Sequence, residues 1–160
     1  MNDWWWIIPV ALVFIAAVSS SFGSSKTSTQ KHEETQSQNQ KKRLAEMVEA
    51  FEKKCESITD NTFEKHSVLL RKYMRAAGSN ERSRIIEELA TLHANHKKQI
   101  CDWESEYLNN FSKRYSDEKH RVSDLPSSMK ADYKDAIQRL ARQHRRMTYR
   151  MEEQIQTIKY

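Results

Sequence analysis

Turn-forming residues are nearly absent from this chain. Its 160 residues include two glycines and two prolines, where an average composition would supply about eleven glycines. Dinucleotide-binding turns, phosphate-binding loops and nucleophile elbows each need several glycines in one place. Gly23 and Gly78 stand far apart, so those sites are excluded. Sandwiches and barrels, which turn every ten residues or so, are disfavoured for the same reason. Two cysteines are too few for a disulfide-built scaffold. What remains is an all-α chain of at most one modest domain with accessory segments.

What is present is charge. Asp, Glu, Lys and Arg make up 31% of the residues, with a formal net charge of +5, and the mean hydropathy is −0.89. A mild basic excess favours anionic partners without choosing among them.

The apolar residues gather at the N-terminus. Trp4 to Ser25 carries no charge and is bounded by Asp3 and Lys26. As a helix it would reach about 33 Å, against a hydrocarbon core of about 30 Å. Trp4, Trp5 and Trp6 stand where an aromatic belt meets the membrane interface. The segment 1–25 is therefore read as a single transmembrane anchor. A cleaved signal peptide is the competing reading, but Met1-Asn2-Asp3 lacks the basic n-region it requires. Lys26, Lys31, Lys41, Lys42 and Arg43 all follow the span. The positive-inside rule then sets the N-terminus outside and the C-terminal body in the cytoplasm, at a cell membrane or bacterial inner membrane. Residues 26–40, rich in Ser, Thr and Gln, are expected to form a flexible polar linker.

Residues 41–160 form the body. Gly78-Ser79-Asn80, read as a C-cap glycine followed by N-cap residues, and Asp124-Leu125-Pro126 divide it into helices expected at 41–77, 80–124 and 127–159. The first has a seam of Leu44, Val48, Phe51, Cys55 and Ile58, with a phase slip near Thr62 onto Phe63, Leu70, Tyr73 and Ala77. The second repeats every eleven residues: Leu89, Ile100, Phe111 and Val122; Ile85, His96 and Tyr107; Leu92 and Trp103. The third returns to heptads at Tyr133, Ile137, Leu140, His144, Met147, Met151, Gln154 and Ile158. One apolar stripe per helix and short connections predict an elongated antiparallel three-helix bundle or coiled coil. In helix count and length the layout resembles a spectrin-type repeat. A rod this thin leaves room for a homodimer, in which a second copy covers exposed apolar surface.

Several constellations bear on chemistry. Folding back around residue 79 sets position 55 near position 103, which brings a Cys55–Cys101 disulfide within reach; a reducing cytoplasm would keep both as thiols. His93 and His96 lie one turn apart, but Cys101 points well away from His96. The three or four converging ligands of a zinc site are thus missing, and neither a metal nor a cofactor is expected. His96 and His144 fall on seams, so burial would make the bundle acid-sensitive. The stretch 138–150 holds five arginines and no acid. Arg139, Arg142, Arg146 and Arg150 share one face at 100° per residue, with Arg145 round the far side. That strip could bind phosphates of anionic lipid or, less favourably, nucleic acid; alternatively it pairs with acids such as Glu104 and Glu106 on a neighbouring helix. The carboxylate pairs lack an enclosed pocket and no serine or cysteine has a nucleophile setting, so no catalysis is expected.

The leading expectation is a membrane-anchored, non-catalytic helical scaffold or adaptor that recruits a protein partner or the membrane surface. A binder of anionic lipid or nucleic acid through the arginine face is the first alternative. In layout the chain is also similar to the inner-membrane spanin subunits of phage lysis systems, with an N-terminal anchor followed by helical coiled coil. That resemblance would imply an envelope-spanning structural role with the body outside the cytoplasm.

Overall fold

In the computed structural model the described residues are 28–159, with side chains described from 32 to 157. The expected anchor 1–25, including Trp4, Trp5 and Trp6, lies outside them. Among the described residues no helix is long and apolar enough to cross a membrane. Residues Thr35–Tyr160 form one compact unit, which holds the core.

The chain is all-α. Helix α1 spans Ser28–Arg75, α2 Ser79–Asn109, α3 Phe111–Tyr115 and α4 Ser127–Lys159, with a 3₁₀ turn at Val122–Asp124. The bonds between helices give their directions. From α1 to α4, Thr59 meets His144 and His66 meets Gln154, so these two run parallel. From α2 to α4, Glu104 meets Arg145 and Lys97 meets Glu152, so that pair is antiparallel. The result is the expected up-down-up bundle of three long helices.

Three expectations are corrected. First, α1 begins at Ser28, so most of the expected linker 26–40 is helical. Gln40 is buried, and its amide donates to the Asp124 carbonyl at 3.1 Å, which ties the beginning of the body to the second reversal. Second, the expected 80–124 helix ends at Asn109, and Asn110 lies at φ −95°, ψ 16°. Two adjacent asparagines, whose side chains compete for backbone hydrogen bonds, weaken the helix there. The eleven-residue stripe nevertheless carries Phe111 inward, where it stacks on Tyr133 at 4.6 Å. Asp117 then organises the reversal: its Oδ1 accepts the backbone N–H groups of Lys119 and His120, each at 2.9 Å. Third, Gly78 is no left-handed cap. It sits extended at φ −102°, ψ 144° as the N-cap of α2.

The core has two apolar parts. One joins Leu44, Met47, Phe51 and Cys55 to Ile100, Tyr107, Tyr133, Ile137 and Ala141, with Tyr115 and Leu125 closing its end. The other consists of Ala76, Ile85, Leu89 and Ile155 near the first reversal. Between them, at the middle of the helices, the buried residues are polar: Thr59, Thr62, His66, His93, His96, His144 and Thr148.

Candidate functional site: a buried histidine layer and an exposed arginine face

Each helix contributes to the polar layer because its buried face passes through polar residues. In α1 the buried positions run Phe51, Cys55, Thr59, Thr62 and His66. The expected slip onto Phe63 does not occur, and Phe63 is 43% exposed. In α2 the buried face runs Ile85, Leu89, His93, His96 and Ile100. In α4 it runs Ile137, Ala141, His144, Thr148, Met151 and Ile155, one residue away from the expected Leu140 and Met147.

Thr59 is the hub of one half of the layer. Its hydroxyl donates to the Cys55 carbonyl at 2.7 Å, one turn back on its own helix. With its single proton spent, the oxygen accepts from His96 Nε2–H at 3.0 Å and from His144 Nδ1–H at 2.8 Å. His96 Nδ1 is then a lone pair, and the Thr148 hydroxyl donates to it at 2.6 Å. Every one of these bonds is satisfied with both rings neutral, the tautomers following from the network.

The second half is less complete. His66 Nε2–H donates to Gln154 Oε1 at 3.2 Å, so its Nδ1 accepts from His93 Nε2–H at 3.0 Å. That leaves His93 Nδ1 as a buried nitrogen with no hydrogen-bond partner among the described residues. The Glu152 carboxylate lies 4.0 Å from it, while also holding Lys97 at 2.7 Å.

Burial disfavours the imidazolium throughout. It pulls His93 and His96 down from 6.5 to about 4, helped by His66 at the first and by His144 and His93 at the second. His66 and His144 are lowered by the same desolvation, opposed at His66 by the Gln154 bond and at His144 by Asp60. His96 and His144 were legible as seam positions. His66 and His93 were missed, although Leu70 four residues after His66 and Leu89 four residues before His93 stood at the helical spacing that could have marked both.

The two cysteines stand apart in character. Cys55 is fully buried, and Cys101 is exposed with its Sγ 3.5 Å from Arg145; both are free thiols. Desolvation pushes the Cys55 thiol up to about 12. Among the described residues no three His, Cys, Asp or Glu side chains converge as a metal site would require.

The arginine stretch separates as helical spacing implies. Arg139, Arg142, Arg146 and Arg150 are all exposed on α4. Arg139 has Asp135 at 3.6 Å, one turn back. Among the described residues, Arg142, Arg146 and Arg150 make no ion pair. Arg145, on the other side, is half-buried and paired with Glu104 across to α2, while Glu106 is taken by Arg114. Tyr149, 53% exposed, lies beside the strip with the Lys97 ammonium 4.9 Å from its ring centre. Set against protein-family models, curated proteins and solved structures, the chain has no match.

Proposed function

We propose that the chain is a membrane-anchored, non-catalytic helical adaptor whose arginine face on α4 docks on an anionic lipid surface. The observation that carries this reading is the electrostatic division of α4. Arg145 is paired with Glu104 across the bundle, whereas among the described residues the exposed Arg142, Arg146 and Arg150 make no ion pair. Forked guanidinium donors suit phosphate oxygens better than ammonium groups do. From Arg139 to Arg150 the strip extends about 16 Å along the helix, enough to meet several headgroups, and Tyr149 supplies an amphipathic ring beside it.

The uncharged run from Trp4 to Ser25 supports the anchor, and the basic residues after it support a cytoplasmic body, where the inner leaflet is anionic. The tasks of the titratable core groups support a non-catalytic reading. The histidines are engaged with one another and with Thr59, Thr148 and Gln154, inside the bundle and away from solvent.

The test uses the full chain held in nanodiscs of neutral phosphatidylcholine, mixed with vesicles with and without phosphatidylserine. Each arginine near an anionic surface contributes about 1 kcal/mol. Arg142→Gln, Arg146→Gln and Arg150→Gln together should therefore weaken vesicle capture about a hundredfold at low salt. Unaltered capture by the triple variant refutes the proposal. Capture of single-stranded RNA in preference to the vesicles would transfer the strip to nucleic-acid binding.

A further inference from the structure

We propose that the buried histidine layer is a proton-operated latch, which holds α1 against the α2–α4 pair at neutral pH and releases it on mild acidification. The inference goes beyond the adaptor reading and does not depend on it.

The geometry gives the latch its position. α2 and α4 pack closely against each other. Halfway along the bundle, α1 meets them through Thr59 and His66, each bonded to ring nitrogens or amide groups of both other helices. A proton entering this layer therefore acts at the seam of α1. The surrounding groups fix what it meets. Around His93 stand His66 of α1, Lys97 of α2 and Glu152 of α4, and Gln154 of α4 holds the far side of His66. Around His96 stand Thr59 of α1, His93 of α2, and His144 and Thr148 of α4. Around His144 stand Thr59 and Asp60 of α1 and His96 of α2.

The two halves receive a proton differently. In the His66–His93 half, His93 Nδ1 is the unpartnered acceptor, and a proton there would face Glu152 across 4.0 Å. Glu152 already holds Lys97, so the new cation gains a shared carboxylate at most. In the Thr59 half, His96 Nδ1 already accepts the Thr148 hydroxyl. A proton at that nitrogen turns the bond round, so that the Thr148 oxygen accepts and its own proton must find another partner, and among the described residues no carboxylate pairs with the ring. His96 is thus the ring least able to hold a charge while the layer is closed.

The direction follows from linkage. Both His93 and His96 are lowered from 6.5 to about 4, so below pH 6.5 the open state binds more protons than the closed one. The closed state is fully favoured above 6.5 and loses ground as pH falls toward 4. Between pH 7.5 and pH 5.5 each ring shifts the opening equilibrium about tenfold, and the two together about a hundredfold.

Cys55 reports the opening. It lies fully buried one turn from Thr59, whose hydroxyl bonds its carbonyl. The experiment takes the full chain with Cys101→Ser, in neutral phosphatidylcholine nanodiscs so that arginine docking plays no part. Cys55 reacts with 4,4′-dithiodipyridine at pH 7.5, 6.5 and 5.5, each rate normalised to that of the urea-unfolded chain at the same pH. The normalised rate should rise about a hundredfold from pH 7.5 to 5.5. His93→Gln with His96→Gln, neutral at every pH, should keep Cys55 protected at 5.5. A flat profile in the unsubstituted layer overturns the proposal, as does an unchanged acid response in the folded double variant. Should that variant not fold, ¹⁵N-histidine spectra of the intact layer decide. Protonation of His93 and His96 in step with the rise in Cys55 reactivity supports the latch; rings that protonate while Cys55 stays protected, or stay neutral while it reacts, overturn it.

Discussion

Thr59→Val removes one oxygen atom and little else, and the structure assigns it a disproportionate cost. The side chain is buried, and valine keeps its shape. The bond to the Cys55 carbonyl is expendable, because that carbonyl remains the acceptor of the intrahelical bond from the Thr59 backbone. The bonds from His96 and His144 are not. Both ring N–H groups point at the lost oxygen from 3.0 and 2.8 Å, and both histidines are buried. A buried donor left unpaired costs about 1–3 kcal/mol. A change of tautomer can relieve one ring in part, so the expected loss is about 2–4 kcal/mol. Thr148→Val orphans a single lone pair, His96 Nδ1, and should cost about 1–2 kcal/mol. Urea unfolding of the full chain in mild detergent at pH 7.5, where the rings are neutral, measures both. Domains of this kind have about 5–15 kcal/mol to lose, so the midpoint should fall clearly with the urea slope unchanged. A Thr59→Val chain as stable as the parent, or one less affected than Thr148→Val, would refute the network as drawn.

Two further outcomes test other parts of the fold. At pH 7.5 a maleimide should modify Cys101 rapidly and leave Cys55 untouched, giving one equivalent per chain by mass spectrometry; two rapid equivalents would contradict the burial of Cys55, and none would indicate the Cys55–Cys101 disulfide. Gly78→Ser should stabilise the chain by about 0.5–1 kcal/mol, since serine caps a helix and has fewer unfolded conformations to lose. Gly78 already lies at a negative φ, and a Cβ there meets nothing within 4 Å; a fall in the thermal midpoint would contradict that account.

The parts of this fold legible in the sequence are those written in apolar spacing. Leu44, Phe51, Cys55, Ile100, Tyr107, Tyr133 and Ile137 all announced their seams, and all are buried. The exposure of Arg139, Arg142, Arg146 and Arg150, and the separate position of Arg145, followed from 100° per residue alone. Where a seam passes through a polar residue, the pattern misleads. Thr62 and Lys65 suggested that the α1 seam moves to Phe63, whereas a drift of one residue carries it through Thr59, Thr62 and His66 instead. The same drift exchanged Met147 for Thr148 in α4. A polar residue in a core is paid for by partners on other helices, and no single helix records where those partners are. The Asn110 break was equally hidden, because the eleven-residue stripe continues across it to Phe111.

The polar layer also explains how three helices with such regular seams find one alignment. Apolar spacing of three and four residues repeats, so sliding one helix by a heptad still sets apolar residues against apolar residues. The bonds of Thr59 to His96 and His144, and of His66 to His93 and Gln154, match in a single register. A slide in either direction buries ring nitrogens against methyl groups, at a cost of about 1–3 kcal/mol for each group left unpaired. Leucine and valine throughout the layer would give a more stable bundle, as replacements of buried polar clusters often do, but one without a preferred alignment. Imidazole fixes the register with a group that titrates near neutrality. Any chain that aligns its helices in this way becomes acid-sensitive by the same atoms, so the latch follows from the means of alignment and needs no separate device.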